Sequence, residues 1–312
     1  MMTQLNTGTK YLDPAALAKL KNLGLAARLV VEGLFSGQHR SPHRGFSVEF
    51  AEHREYTPGV DPRHLDWKIL AKRDKLYVKQ YEEQTNLRCY LLLDASASMN
   101  YRHQGPMTKL EYCCYLAATL AYLMMVQHDA FGLIVYGDRV RLNIPPRQGR
   151  GHLRIVLEQL EKVQAQGHTN LPRTFHELAE TMNRRALVIV LSDLLGGDGD
   201  GAQSLLEALG HFHHKKHEVI VLQVLDQAEL TFPFRDAGQI ENMETGLRIT
   251  SDAQAIRNHY LQQLNRYLEE IRNGSLSRNI SYSLTDTNQP FDLFLGTFLT
   301  RRQHQRASRT AF

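Results

Sequence analysis

The sequence predicts an α/β fold built on a mainly parallel central sheet with helices on both faces. Two observations carry this. The runs Tyr90-Leu91-Leu92-Leu93 and Ala186-Leu187-Val188-Ile189-Val190-Leu191 are apolar throughout, as strands buried on both faces are. Each leads directly into an Asp or a Ser-Asp pair, and the segments between such runs carry helical periodicity.

The elements follow in order. Asp13-Pro14 opens a helix carrying Leu17, Leu20, Val30, Val31 and Leu34 to about Gly37, with a break expected near Gly24. Ser36 to Gly45 is polar and reads as a loop. Phe46 to Glu83 mixes short strand-like pieces with turns at Thr57-Pro58-Gly59 and Asp61-Pro62, and is read as an accessory segment. The main domain is expected from Leu87. After Asp94, Thr108 and Glu111 form a capping box for a helix apolar on nearly every side, with Leu110, Cys113, Ala117, Leu120, Ala121 and Met124. Such a helix must be central and covered. Ala130 to Tyr136 is the next strand, and Val140 to Ile144 pairs with it through Gly137-Asp138 as an antiparallel edge.

Helices are expected at about 151–163 and 171–184, then the strand that ends at Ser192-Asp193, then a helix over 203–215. The strand Glu218 to Leu225 also ends in an acid, Asp226. Ser251 and Gln254 box the start of a long helix striped by Ile256, Tyr260, Leu264, Tyr267 and Ile271. Ile280 to Leu284 is the last strand and Phe291 to Thr300 the last helix. The expected division is 1–86 for the amino-terminal helix and accessory segment, 87–300 for the main domain and 301–312 for a basic tail.

The chemistry gathers at the strand ends. Asp94-Ala95-Ser96-Ala97-Ser98 places a carboxylate and two hydroxyls where a buried strand opens into a loop. Hard divalent cations such as Mg²⁺ take oxygen ligands in a near-octahedral array. The alternation of D-x-S-x-S turns its three oxygen-bearing side chains toward one point, but one short loop does not fill such a shell. Two other segments add to it. His168-Thr169-Asn170-Leu171-Pro172 puts a hydroxyl before a helix, and Asp193 ends a second buried strand. In parallel sheets the carboxyl ends share one rim, and ligands bind in the crevice where the strand order reverses. Asp94 and Asp193 are expected as neighbours there, with Thr169 between them.

The order Asp94, Ser96, Ser98, then Thr169, then Asp193 resembles the metal-ion-dependent adhesion site (MIDAS) of von Willebrand factor A-like domains. The upstream stretch Arg54-Glu55-Tyr56-Thr57-Pro58-Gly59-Val60-Asp61-Pro62-Arg63-His64-Leu65-Asp66-Trp67 resembles the signature of the bacterial DUF58 proteins, R-x-Y-x-x-G-D-D-x-R-x-I-D-W. Val60 stands for the first acid and Leu65 for Ile, and Ala71-Lys72-Arg73 and Glu82-Glu83 follow. The resemblance covers about residues 45–230 with specific motifs. It implies a three-layer, Rossmann-like von Willebrand A-like domain with Mg²⁺ or another divalent cation held by Asp94, Ser96, Ser98, Thr169 and Asp193. It implies that Ser96 and Ser98 bind directly, that Asp94 and Asp193 act directly or through water, and that Thr169 joins when a ligand is engaged. It also implies a MoxR-type AAA+ ATPase as partner, acting with this protein on a protein client. Two carboxylates against one dication leave the ion Lewis acidity for a further anionic oxygen, such as a partner's Asp or Glu.

Other readings narrow the function. Hydrophobic residues at 42% and charged residues at 22% describe an ordinary folded chain. The longest apolar stretch, Tyr115 to Val126, falls short of the about 20 residues a bilayer span needs, so the expectation is no membrane insertion and a cytoplasmic location. Cys89, Cys113 and Cys114 read as core thiols. The net charge of +4 lies largely in Arg301, Arg302, Arg306 and Arg309, with no interleaved aromatics, so nucleic acid is not an expected partner. The cluster His211, His213, His214 and His217 fits no common zinc spacing. Asp66 and Trp67, with Arg54, Tyr56, Arg63 and Arg73, read as a hydrogen-bonded network that fixes the accessory segment. Motifs of hydrolases, zincins and P-loop ATPases do not occur, and the function expected is non-enzymatic, metal-dependent protein interaction. The alternative is a Mg²⁺- or Mn²⁺-dependent phosphoesterase or nuclease on the same rim. A haloacid dehalogenase-type phosphatase needs a second Asp where this chain has Ser96. Asp198 and Asp200, in a loop with four glycines, would have to supply a two-metal site, and that loop reads rather as mobile.

Overall fold

Apolar runs become strands here because each buries both of its faces. The computed structural model describes residues 22–37, 53–55, 77–79, 88–182, 184–195, 201–235, 237–291 and 293–297. The chain divides into two compact units, residues 41–86 and residues 1–40 with 87–312. In the smaller unit β1 (His53–Glu55) pairs antiparallel with β2 (Tyr77–Lys79), Arg54 opposite Val78. Tyr56, Arg63, Asp66, Trp67 and Arg73 of the expected network lie outside the described residues, as do Asp198, Asp200 and the basic tail.

The larger unit is the three-layer α/β domain. Its sheet holds β3 (Arg88–Asp94), β4 (Ala130–Tyr136), β5 (Val140–Arg147), β6 (Leu187–Ser192), β7 (Glu218–Leu225) and β10 (Ser281–Asp286), in the order β10-β7-β6-β3-β4-β5. Only β5 runs antiparallel, at the edge. This is the mainly parallel architecture expected of a von Willebrand A-like domain. Successive side chains alternate between two cores. Leu91, Leu93, Ile189, Leu191, Ile220 and Leu222 face one, and Leu92, Val188, Val190, Val219 and Val221 face the other.

On the first face lie α1 (Leu23–Gly37), α2 (Lys109–Val126) and α3 (Arg150–Leu160). Ala26, Ala27 and Val30 of α1 join the core formed by α2, because small side chains let the two helices approach. Sequence reasoning grouped residues 1–86, whereas this helix packs with the α/β unit. The capping box of α2 forms, with Thr108 Oγ1 accepting from Glu111 N at 3.1 Å and Glu111 Oε2 from Thr108 N at 2.7 Å. Among the described residues α2 alone has the length and hydropathy of a membrane span, and 72% of it is buried in the protein. It is the central helix, closed over by Tyr112 stacked on Phe291 at 4.3 Å.

On the second face lie α4 (Leu171–Thr181), α5 (Gly201–His214) and α7 (Ala253–Ser277), the last following the short α6 (Gln227–Thr231). The long helix is capped by Asp252, whose side chain accepts from Gln254 N at 2.9 Å, and not by Ser251. Ser251 belongs instead to β9 (Arg248–Asp252), which pairs antiparallel with β8 (Ala237–Glu241). This hairpin carried no expectation from sequence.

Candidate metal centre

The rim of the sheet is built at its switch point. From β3 the chain moves to β4 on one side, and β6 returns to the other side of β3, so a crevice opens between the ends of β3 and β6. Leu93 stands opposite Leu191 in register, which sets Asp94 level with Ser192. Ser192 Oγ donates to Asp94 Oδ2 at 2.6 Å, Ser96 N donates to Asp94 Oδ1 at 2.9 Å, and the Ser96 and Ser98 hydroxyls lie 3.1 Å apart. The sequence therefore does bring Asp94, Ser96 and Ser98 to one point.

The Thr169 loop is laced to the same segment. Ala97 N donates to Gly167 O at 2.9 Å and Gln166 N to Ala95 O at 3.0 Å, with Gly167 at φ +67°, a conformation that favours glycine. Arg141 of β5 bridges the two strips, donating to Ala95 O at 2.8 Å and to Gln166 O at 2.6 Å. Thr169 is buried and, among the described residues, its Oγ1 has no hydrogen-bond partner. Its backbone N–H donates to Glu244 Oε2 at 3.2 Å.

Asp193 is wholly buried, with Oδ1 accepting from Leu195 N at 3.1 Å and Oδ2 from Lys109 Nζ at 2.7 Å. Lys109 is 1% exposed and also donates to Glu229 Oε1 at 2.7 Å. Burial opposes its charge, but the Asp193 and Glu229 carboxylates more than offset this and push its pKa up, so the ammonium persists. Asp94 behaves oppositely. Burial first, and then the Asp193 carboxylate, lift its pKa to about 7, against the Ser192 hydroxyl and the Ser96 N–H and hydroxyl, which lower it.

Sequence reasoning named Asp94, Ser96, Ser98, Thr169 and Asp193. It missed Lys109, Arg141, Ser192, Glu229 and Glu244. A serine after an all-apolar strand was a visible signal for Ser192. Lys109 reads as a solvated residue at a helix start, and only its position against Asp193 shows otherwise. Among the described residues no three His, Cys, Asp or Glu side chains form a metal-binding group. The histidines likewise form no metal-binding group among the described residues. His217 is buried and accepts from Ala186 N at 3.1 Å through Nδ1, while His211 packs edge-on against His176 at 4.7 Å.

Residues 52–270, more than half of the chain, match the family described as Protein of unknown function DUF58. The chain belongs to the DUF58 family. The uncharacterized protein Rv1480 of Mycobacterium tuberculosis is 26% identical over 240 residues, 75% of this DUF58 chain and 73% of that protein. Among solved structures, BatB of Bacteroides thetaiotaomicron aligns over 69% of this chain and 98% of its own, with 18% identity and a TM-score of 0.45. The SpRpn10 VWA domain aligns over 69% of this chain and 94% of its own, with 10% identity and a TM-score of 0.38.

Proposed function

We propose that this DUF58 protein is a non-enzymatic, divalent-cation-dependent protein-interaction module of the cytoplasm, working with a MoxR-type AAA+ ATPase on a protein client. The observation that carries the proposal is an imbalance of charge. Asp94 and Asp193 are both wholly buried at the ends of neighbouring strands, and Lys109, the only cation bonded to either among the described residues, is shared between Asp193 and Glu229. A dication supplies the missing charge, and Ser96, Ser98 and the unpartnered Thr169 hydroxyl are the hard oxygen donors it takes.

The bound ion would supply a Lewis-acidic position for a carboxylate oxygen of a partner. The chain's own residues do the rest. Ser192 and the Ser96 N–H orient Asp94, Lys109 holds Asp193, and Arg141 with the Ala97 and Gln166 bonds fixes the distance between the serine and threonine loops. Buried, pre-oriented ligands of this kind lose little freedom when an ion or partner binds.

A tagged-protein pull-down from native extract tests the proposal, run with wild type in Mg²⁺, wild type in EDTA, and Asp94→Ala in Mg²⁺. The expected result is an AAA+ ATPase recovered in the first arm alone. The variant arm keeps Mg²⁺ on any nucleotide and so separates the protein's own site from the ATPase's. Retention of that ATPase by Asp94→Ala contradicts the mechanism, and turnover of a generic phosphodiester in Mg²⁺ or Mn²⁺ contradicts the non-enzymatic assignment.

A further inference from the structure

The geometry points to Glu244 as a built-in ligand of the metal centre, a side chain of the β8–β9 hairpin that stands in for a partner's acidic residue until a partner displaces it. This rests on the proposed metal site and deepens it. The hairpin turn is fixed by its own backbone. Asn242 Oδ1 accepts from Glu244 N and from Thr245 N, each at 2.9 Å, Gly246 N donates to Asn242 O at 2.8 Å, and Gly246 sits at φ +68°. Met243, Thr245, Gly246 and Leu247 are exposed, and Glu244 alone of the turn's tip is drawn in.

Its carboxyl enters the rim against the Thr169 backbone. Oε2 accepts from Thr169 N, while Oε1 is buried with no hydrogen-bond partner among the described residues. A glutamate on an exposed turn has water available on every other side. Instead one of its oxygens is left without a hydrogen-bond partner among the described residues, as is Thr169 Oγ1. A cation between these two oxygens turns both costs into attractions.

The inference implies competition. An incoming partner carboxylate and Glu244 seek the same ion, so the hairpin weakens partner binding, and its removal from the site exposes the coordination position.

The test compares wild type, Glu244→Gln and Asp94→Ala by Mg²⁺ titration calorimetry and by hydrogen exchange of residues 242–247. In wild type, Mg²⁺ should slow exchange in the turn about tenfold. Glu244→Gln should bind Mg²⁺ about tenfold more weakly, with no change in turn exchange on adding the ion. With Mn²⁺ loaded, acetate should bind the Glu244→Gln site at concentrations that leave wild type unchanged, read from water-proton relaxation. Mg²⁺ affinity and turn protection in Glu244→Gln equal to wild type overturn the inference and leave the metal site standing. A wild type that binds no Mg²⁺ overturns both.

Discussion

Lys109→Met is the most informative perturbation of the site's scaffold. Methionine keeps the apolar stem of lysine and is one atom shorter, so packing in the core changes little. What it removes is the ammonium 2.7 Å from Asp193 Oδ2 and 2.7 Å from Glu229 Oε1. Asp193 is fully buried and the Glu229 side chain is 15% exposed, so neither recovers full hydration. Removing one partner from a buried ion pair costs about 3–5 kcal/mol, because it strands the other charge. That is a large part of the about 5–15 kcal/mol that holds a domain folded. Urea denaturation in EDTA should show this loss as a lower midpoint at unchanged slope. The triple variant Lys109→Met, Asp193→Asn, Glu229→Gln should recover most of it, since no charge is then stranded. Mg²⁺ should stabilise Lys109→Met more than wild type, because the ion takes over part of the charge of Lys109 beside Asp193. A loss below about 1 kcal/mol in EDTA would refute the reasoning, since it would mean that the pair does not hold buried charge together.

Three further outcomes follow from individual contacts. Ser192→Ala removes the hydroxyl that donates to Asp94 and accepts from Leu194 N, and should weaken Mg²⁺ binding about 10–100-fold by calorimetry with the fold retained. Burial lowers the pKa of His217, so its contribution to stability is complete above about pH 6.5 and is lost as pH falls through the lowered folded value. Urea midpoints at pH 7.5 and 5.0 should therefore fall less in His217→Asn than in wild type, the difference being at most about 1.4 kcal/mol per pH unit. Gly132→Ala would set a methyl 2.4 Å from Ile144 O, and should cost about 1–3 kcal/mol by pushing β5 off the edge, read as faster amide exchange in that strand.

The parallel sheet was legible because its strands are buried on both faces, which leaves unbroken Val, Ile and Leu runs in the sequence. The five candidate ligands were legible for a related reason: each lies at or just beyond an element end, where an oxygen-bearing side chain next to an apolar run stands out. Lys109 was not, because its meaning depends on Asp193, which is 84 residues away along the chain. The β8–β9 hairpin hid behind polar sequence, since a two-stranded ribbon with an exposed turn needs no apolar alternation to form. Glu244 carries no local signal at all, for its role comes from Thr169, which is 75 residues away. The cap of the long helix shifted from Ser251 to Asp252 because the strand preceding it runs one residue further than a capping-box pattern assumes.

The direct test of the central claim is titration of Mn²⁺ or Mg²⁺ into purified wild type and Asp94→Ala at pH 7.5, with circular dichroism on both to confirm an intact fold. The account predicts one saturable site per chain in wild type and none in the variant. No saturable site in wild type, or equal affinity in the two proteins, would contradict it.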